Sequence, residues 1–179
     1  MRNSSGEERV EGAVTLGLLA AWALHDLEEL ATVPGWWRRN LPALRERYPA
    51  VPEAVWRRAG SVDGREFAVA VGAMAAVVAA ASVAGRLTGG RSAAYQTALT
   101  AFGLHGLVHL GQAGLVRGYT PGSATSPLIV VPFTLWARRR LRRAGVLRAT
   151  RPRDLAVGLG FAGAATVAAH GVARRLTGG

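Results

Sequence analysis

Two long stretches of this chain carry no charged residue at all, residues 67–84 and 93–116, and arginine-rich blocks separate the apolar tracts from one another. A bilayer's hydrocarbon core is about 30 Å thick and a helix rises about 1.5 Å per residue, so about 20 apolar residues span it. Backbone polar groups in lipid must find partners inside their own element, which an open strand cannot offer. Uncharged runs of this length predict an all-α integral membrane bundle. Composition agrees, with 50% hydrophobic residues and 18% charged, against about 25% charged in an ordinary soluble domain. The chain carries 22 basic residues against 11 acids, every basic one being arginine, and a net charge of +11. A nucleic-acid binder would spread that charge through amphipathic elements, so no nucleic-acid partner is expected. The apolar content excludes intrinsic disorder. The absence of cysteine excludes a disulfide scaffold and thiolate or iron–sulfur sites.

Five spans are predicted within one domain of 179 residues, at about 13–33, 67–84, 93–116, 126–137 and 155–173. The fourth is short and holds Pro127 and Pro132, which predicts a kink or tilt. The Gly- and Ala-rich spans suit close helix–helix contact. Glu7, Glu8 and Glu11 offset Arg2 and Arg9, so the positive start of a cleavable signal is missing and the first span is expected to be retained. Segment 35–64 interleaves Trp36, Trp37, Tyr48 and Trp56 with arginines. That is the pattern of amphipathic helices lying at the membrane surface, predicted as two pieces at 36–48 and 52–59. The arginines at 138–153 are denser and less offset by acids than those of 38–65, which favours a cytoplasmic N-terminus.

The chemistry-bearing residues sit inside the spans. His25, Asp26, Glu28 and Glu29 lie in the first, where each acid at a bilayer centre costs about 2.5–3.5 kcal/mol on the lenient scales. Helical spacing puts His25, Glu28 and Glu29 on one face and points Asp26 elsewhere. The third span carries His105 and His109, again four residues apart, a spacing that grips zinc or iron from one helix. Both polar clusters need partners, so the first and third spans are expected to pack together around a shared site. His170, in the fifth span, is the remaining histidine and a candidate supporting residue, as are Asp26 and Tyr119. There is an internal echo. Leu24-His25-Asp26-Leu27-Glu28-Glu29-Leu30 and Leu104-His105-Gly106-Leu107-Val108-His109-Leu110 share the pattern L-H-x-L-x-x-L, and Arg-Leu-Thr-Gly-Gly at 86–90 recurs at 175–179. An ancient duplication would align Glu29 with His109.

His25-Asp26-Leu27-Glu28-Glu29 resembles the signature of the HXXEE-domain family of small bacterial membrane proteins. His109 in a later span and the turn Tyr119-Thr120-Pro121-Gly122 extend the resemblance over most of the chain. The resemblance implies a helical membrane bundle in the bacterial cytoplasmic membrane and importance for His25, Glu28, Glu29 and His109, but no reaction. Three readings stay open. In the first, His25, His105 and His109 hold a divalent metal, zinc or iron, with one of Glu28 and Glu29 as a further ligand and the other as general base. The substrate would be a hydrophobic small molecule, a lipid or isoprenoid, met among membrane lipids. In the second, the same cluster drives metal-free acid–base isomerisation or cyclisation of an isoprenoid. In the third, the chain is a non-enzymatic ion-handling or partner-binding subunit.

Overall fold

The computed structural model describes residues 10–61 and 63–149, with Gly160, Gly171 and Arg175 beyond them. The described residues form helices α1 (Gly12–Thr15), α2 (Gly17–Arg47), α3 (Glu53–Gly60), α4 (Gly64–Leu87) and α5 (Ala93–Val116). A π-helical segment (Ser126–Val130) then leads directly into α6 (Val131–Arg143). No strand occurs among the described residues. The expected fifth span, His170 and the second Leu-Thr-Gly-Gly lie outside them.

Helices α4 and α5 occupy the two uncharged runs and extend them by a turn at most. Asp63 caps α4 by accepting from the Glu66 N–H, and Ser92 caps α5 by accepting from the Tyr95 N–H. Both helices are long and apolar enough to cross a membrane. Helix α2 packs on α4 and on the π-segment, while α5 packs on α4, the π-segment and α6. Their common core joins Val14, Leu18 and Trp22 to Val78, Tyr95, Leu99, Phe102, Val130 and Leu141. Helix α6 and the π-segment can approach α5 because Gly103 and Gly106 have no side chains. A Cβ there would lie 2.7 Å from Thr134 and 2.7 Å from Val130 respectively.

Two boundaries differ from those expected. The first span does not stop before Pro34. Helix α2 runs unbroken through Pro34 and Pro42 to Arg47, so residues 36–47 are its continuation and not a separate surface helix. Proline removes one helical hydrogen bond and crowds a carbonyl, at about 3 kcal/mol or more in a helix interior. Tertiary contacts offset that cost. Trp36 and Leu44 are buried with Trp56 in a second small core, and the Trp36 indole donates to the Tyr119 carbonyl at 2.8 Å. Arg47 and Tyr48 donate to the carbonyls of Val116 and Leu115, filling acceptors that the end of α5 leaves open. Helix α3 matches the second expected surface piece, with Trp56 as its buried face.

The second difference is in the fourth span, where the chain adopts a π-turn. Pro132 has no N–H for the Leu128 carbonyl, and its ring would collide with that carbonyl in an α-helix. The turn widens, and the Val131 N–H donates to the carbonyl of Ser126, five residues back. Beyond it, residues 138–143, expected as a loop, continue α6.

Candidate metal centre

The site begins with two helical pairs. His25 and Glu29 sit one turn apart on α2, and His105 and His109 one turn apart on α5. The side chains of the two helices meet. The His25 ring centroid is 5.1 Å from that of His105 and 5.0 Å from that of His109. One ligating atom from each of His25, Glu29, His105 and His109 lies within 4.8 Å of all the others. Glu29 is central. Its carboxylate oxygens stand 3.3 Å from His109 Nε2, 3.9 Å from His105 Nε2 and 4.0 Å from His25 Nε2. The Nε2 atoms of His105 and His109 are 2.8 Å apart. His25 is fully buried, and its Nε2 has no hydrogen-bond partner.

The members differ in access. Glu29 is 13% exposed and His109 8%, whereas the His105 side chain is 46% exposed. Leu107 and Val108 on α5, and Leu24 and Leu27 on α2, are exposed within one turn of the cluster.

Glu28 stands outside the group. Its Oε2 accepts from the Thr125 hydroxyl at 2.6 Å and the Thr125 N–H at 2.8 Å. Its Oε1 accepts from the Tyr119 hydroxyl at 2.7 Å and the Ala124 N–H at 3.3 Å. A residue expected beside the metal thus binds the first free N–H groups of the chain entering the π-segment, as an N-capping carboxylate does. Partial burial holds the Tyr119 phenol above its ordinary pKa, and its hydroxyl donates to Glu28. Asp26 is buried, outside the four-residue group, and has no hydrogen-bond or ion-pair partner among the described residues.

The turn after α5 supplies two residues whose role the sequence did not disclose. Thr125 Oγ1 lies 2.7 Å from His25 Nδ1. The turn itself spans Thr120–Ser123, closed by the Ser123 N–H on the Thr120 carbonyl at 2.9 Å. Pro121 takes its second position and Gly122 its third, where a φ of +80° has the sign of a type II turn. A Cβ on Gly122 would come within 2.7 Å of both Cε1 and Nδ1 of His109 and 2.9 Å of His25 Cε1. Gly122 therefore packs directly against the edges of both imidazoles. The Tyr-x-Pro-Gly pattern marked the turn, but only the packing identifies what the glycine touches. Thr125 carried one weak signal, a hydroxyl residue opening a helical segment.

A family model described as "Protein of unknown function with HXXEE motif" matches residues 16–137, which include both helical pairs and the turn. No curated protein and no solved structure matches the chain.

Proposed function

The chain belongs to the family of proteins of unknown function with an HXXEE motif, and from the site built on that motif we propose a membrane-embedded, metal-dependent enzyme acting on a lipid or isoprenoid. One observation carries the reading, the convergence of four donor atoms within 4.8 Å from two helices. Tetrahedral zinc with bonds of about 2.0–2.2 Å holds its ligands about 3.3–3.6 Å from one another. The donor atoms of the three histidines and Glu29 all lie within 4.8 Å of one another, with His105 Nε2 and His109 Nε2 at 2.8 Å, a cluster of the size such an ion needs. The donor set suits zinc or iron.

The membrane setting rests on exposure. In α4 and α5 only 22% of the most apolar window is buried, whereas the core helix of a soluble protein would bury most of it. A bundle of about five spans, adding α2, the π-segment with α6, and residues 155–173, accounts for the remaining apolar tracts. Arg140 pairs with Glu11, which sets the denser arginine block beside the start of α1 and favours a cytoplasmic N-terminus. By the same reading the protein resides in the bacterial cytoplasmic membrane.

A divalent ion at this site supplies Lewis acidity and brings a coordinated water's pKa to about 7. His25, His105 and His109 would hold it, leaving the fourth position open as catalytic zinc sites do. Glu29, within 4.0 Å of all three Nε2 atoms, takes the proton from the attacking water. Glu28 holds the turn. The exposed edge at His105 would admit a hydrophobic substrate laterally from the bilayer. A specific observation favours one other reading. The 2.8 Å contact between two Nε2 atoms places a proton between them when no cation is bound, as a metal-free acid–base catalyst would use.

Purified protein in vesicles of bacterial lipid extract, with products followed by mass spectrometry, tests the proposal. Lipid turnover is expected for the wild type, lost on chelation and in Glu29→Gln, and kept in Asp26→Asn. Turnover that survives complete metal removal transfers the assignment to the acid–base reading. Absence of turnover in metal-loaded wild type across the extract overturns the enzyme reading.

A further inference from the structure

We propose that Thr125 and Glu28 are positioning residues for His25. The Thr125 hydroxyl, aimed by the Glu28 carboxylate, fixes His25 as the Nδ1–H tautomer and leaves the Nε2 lone pair facing the cluster. This rests on the metal reading of the site, and it concerns two residues that touch no ion.

Four donors surround Glu28, namely the hydroxyls of Tyr119 and Thr125 and the N–H groups of Ala124 and Thr125. Each oxygen of Glu28 accepts from a backbone N–H, a group that can only donate, and as an ionised carboxylate Glu28 accepts from the two hydroxyls as well. A threonine hydroxyl has one proton, and that of Thr125 is committed to Glu28 at 2.6 Å. Towards His25 it can then only accept, so the 2.7 Å contact is His25 Nδ1–H donating to Thr125 Oγ1. The tautomer follows from this network. Neutral imidazole protonated at Nδ1 is bare at Nε2, and that atom is the buried, unpartnered one facing Glu29. A metal-ligating histidine needs this state, and a hydrogen bond from its other nitrogen fixes it.

The same segment restrains the ring mechanically. Gly122 lies so close to the edges of His25 and His109 that a methyl group would not fit, and its φ of +80° is held by the turn. The Ser126 hydroxyl donates to the Gly122 carbonyl at 2.6 Å, tying the turn to the π-segment. Residues 119–126 thus brace the ligand from behind, through contacts that begin at Glu28 of the HXXEE motif. In this chain the two adjacent glutamates of the motif thus divide, Glu29 turned to the cluster and Glu28 to the turn.

The test compares full-length wild type, Thr125→Val and Thr125→Ser in mild detergent by zinc affinity in chelator competition and by nitrogen NMR of His25 without metal. Losing such a supporting hydrogen bond costs about 10–100-fold in metal affinity. Thr125→Val is expected to weaken zinc by that factor and to shift His25 towards the Nε2–H form, while Thr125→Ser restores both. Equal affinity and an unchanged tautomer in folded Thr125→Val overturn the inference. A wild type that takes no zinc sinks the metal reading, and the tautomer then decides the positioning role alone. Nδ1–H in the wild type keeps that role, and Nε2–H ends it, whether or not Thr125→Val folds.

Discussion

The two halves of the site share a spacing and little else. On α2, His25 is fully buried, its Nδ1 is bonded to Thr125, and the neighbouring Glu28 is held by four donors. On α5, His105 is half-exposed and its Nε2 has only the cluster itself for company, at 2.8 Å from His109 and 3.9 Å from Glu29. The anchored half carries the ordering cost in advance, through hydrogen bonds made before any ligand arrives. The open half leaves an edge that a substrate can approach. Rigidity on one helix and access on the other suits the proposed approach of a substrate from lipid.

Substitutions can break this comparison, and the largest effect is expected from the anchored side. His25→Asn removes the one fully buried ligand and leaves Thr125 without its donor. It should abolish stoichiometric zinc binding, measured by elemental analysis of folded protein. His105→Asn, at the open edge, should weaken binding without abolishing it. Equal loss in the two variants would erase the distinction between the halves. Gly122→Ala comes next. It forces a side chain to φ +80° and a methyl group into two imidazoles, which should cost on the order of 1–3 kcal/mol. A lowered unfolding temperature together with weakened zinc binding is the expected outcome. Gly111→Ala has nothing within 4 Å of the new Cβ and should stay within about 0.5 kcal/mol of the wild type.

Asp26→Asn sharpens the comparison from within α2. It changes a buried carboxyl group one residue from His25, at a position outside the four-residue group. Zinc content should stay at the wild-type level, measured beside Glu29→Gln, which should keep the metal and lose turnover if Glu29 is the base. Loss of zinc in Asp26→Asn would make the acids of the motif one undivided electrostatic cluster.

Much of this was legible in the sequence, and the physical reason is periodicity. Uncharged runs fixed α4 and α5 to within a turn, because their length and charge pattern have few alternative solutions. The i, i+3 and i, i+4 spacings put His25, Glu28 and Glu29 on one face and paired His105 with His109, a set that holds the four residues that converge and one, Glu28, that does not, because helical geometry is local. The division between Glu28 and Glu29 was not legible. Both fall near the same helical face, and their separation depends on where residues 119–126 pass, which no local pattern states. The length of α2 escaped for a related reason. Pro34 signals a stop locally, and the contacts of Trp36 and Leu44 that override it come from residues 56 and 119. Thr125 needed the fold to bring it 100 positions back to His25.

The central claim is that His25, His105 and His109 hold a divalent ion beside Glu29. Metal content and X-ray absorption of wild-type protein, purified in mild detergent and reloaded with zinc or ferrous iron, test it most directly. The account expects one ion per chain, in a shell of nitrogen and oxygen at about 2.0–2.1 Å with the outer scattering of several imidazoles. Wild-type protein that retains no ion above the level of a His25→Asn control, under either metal, would contradict it.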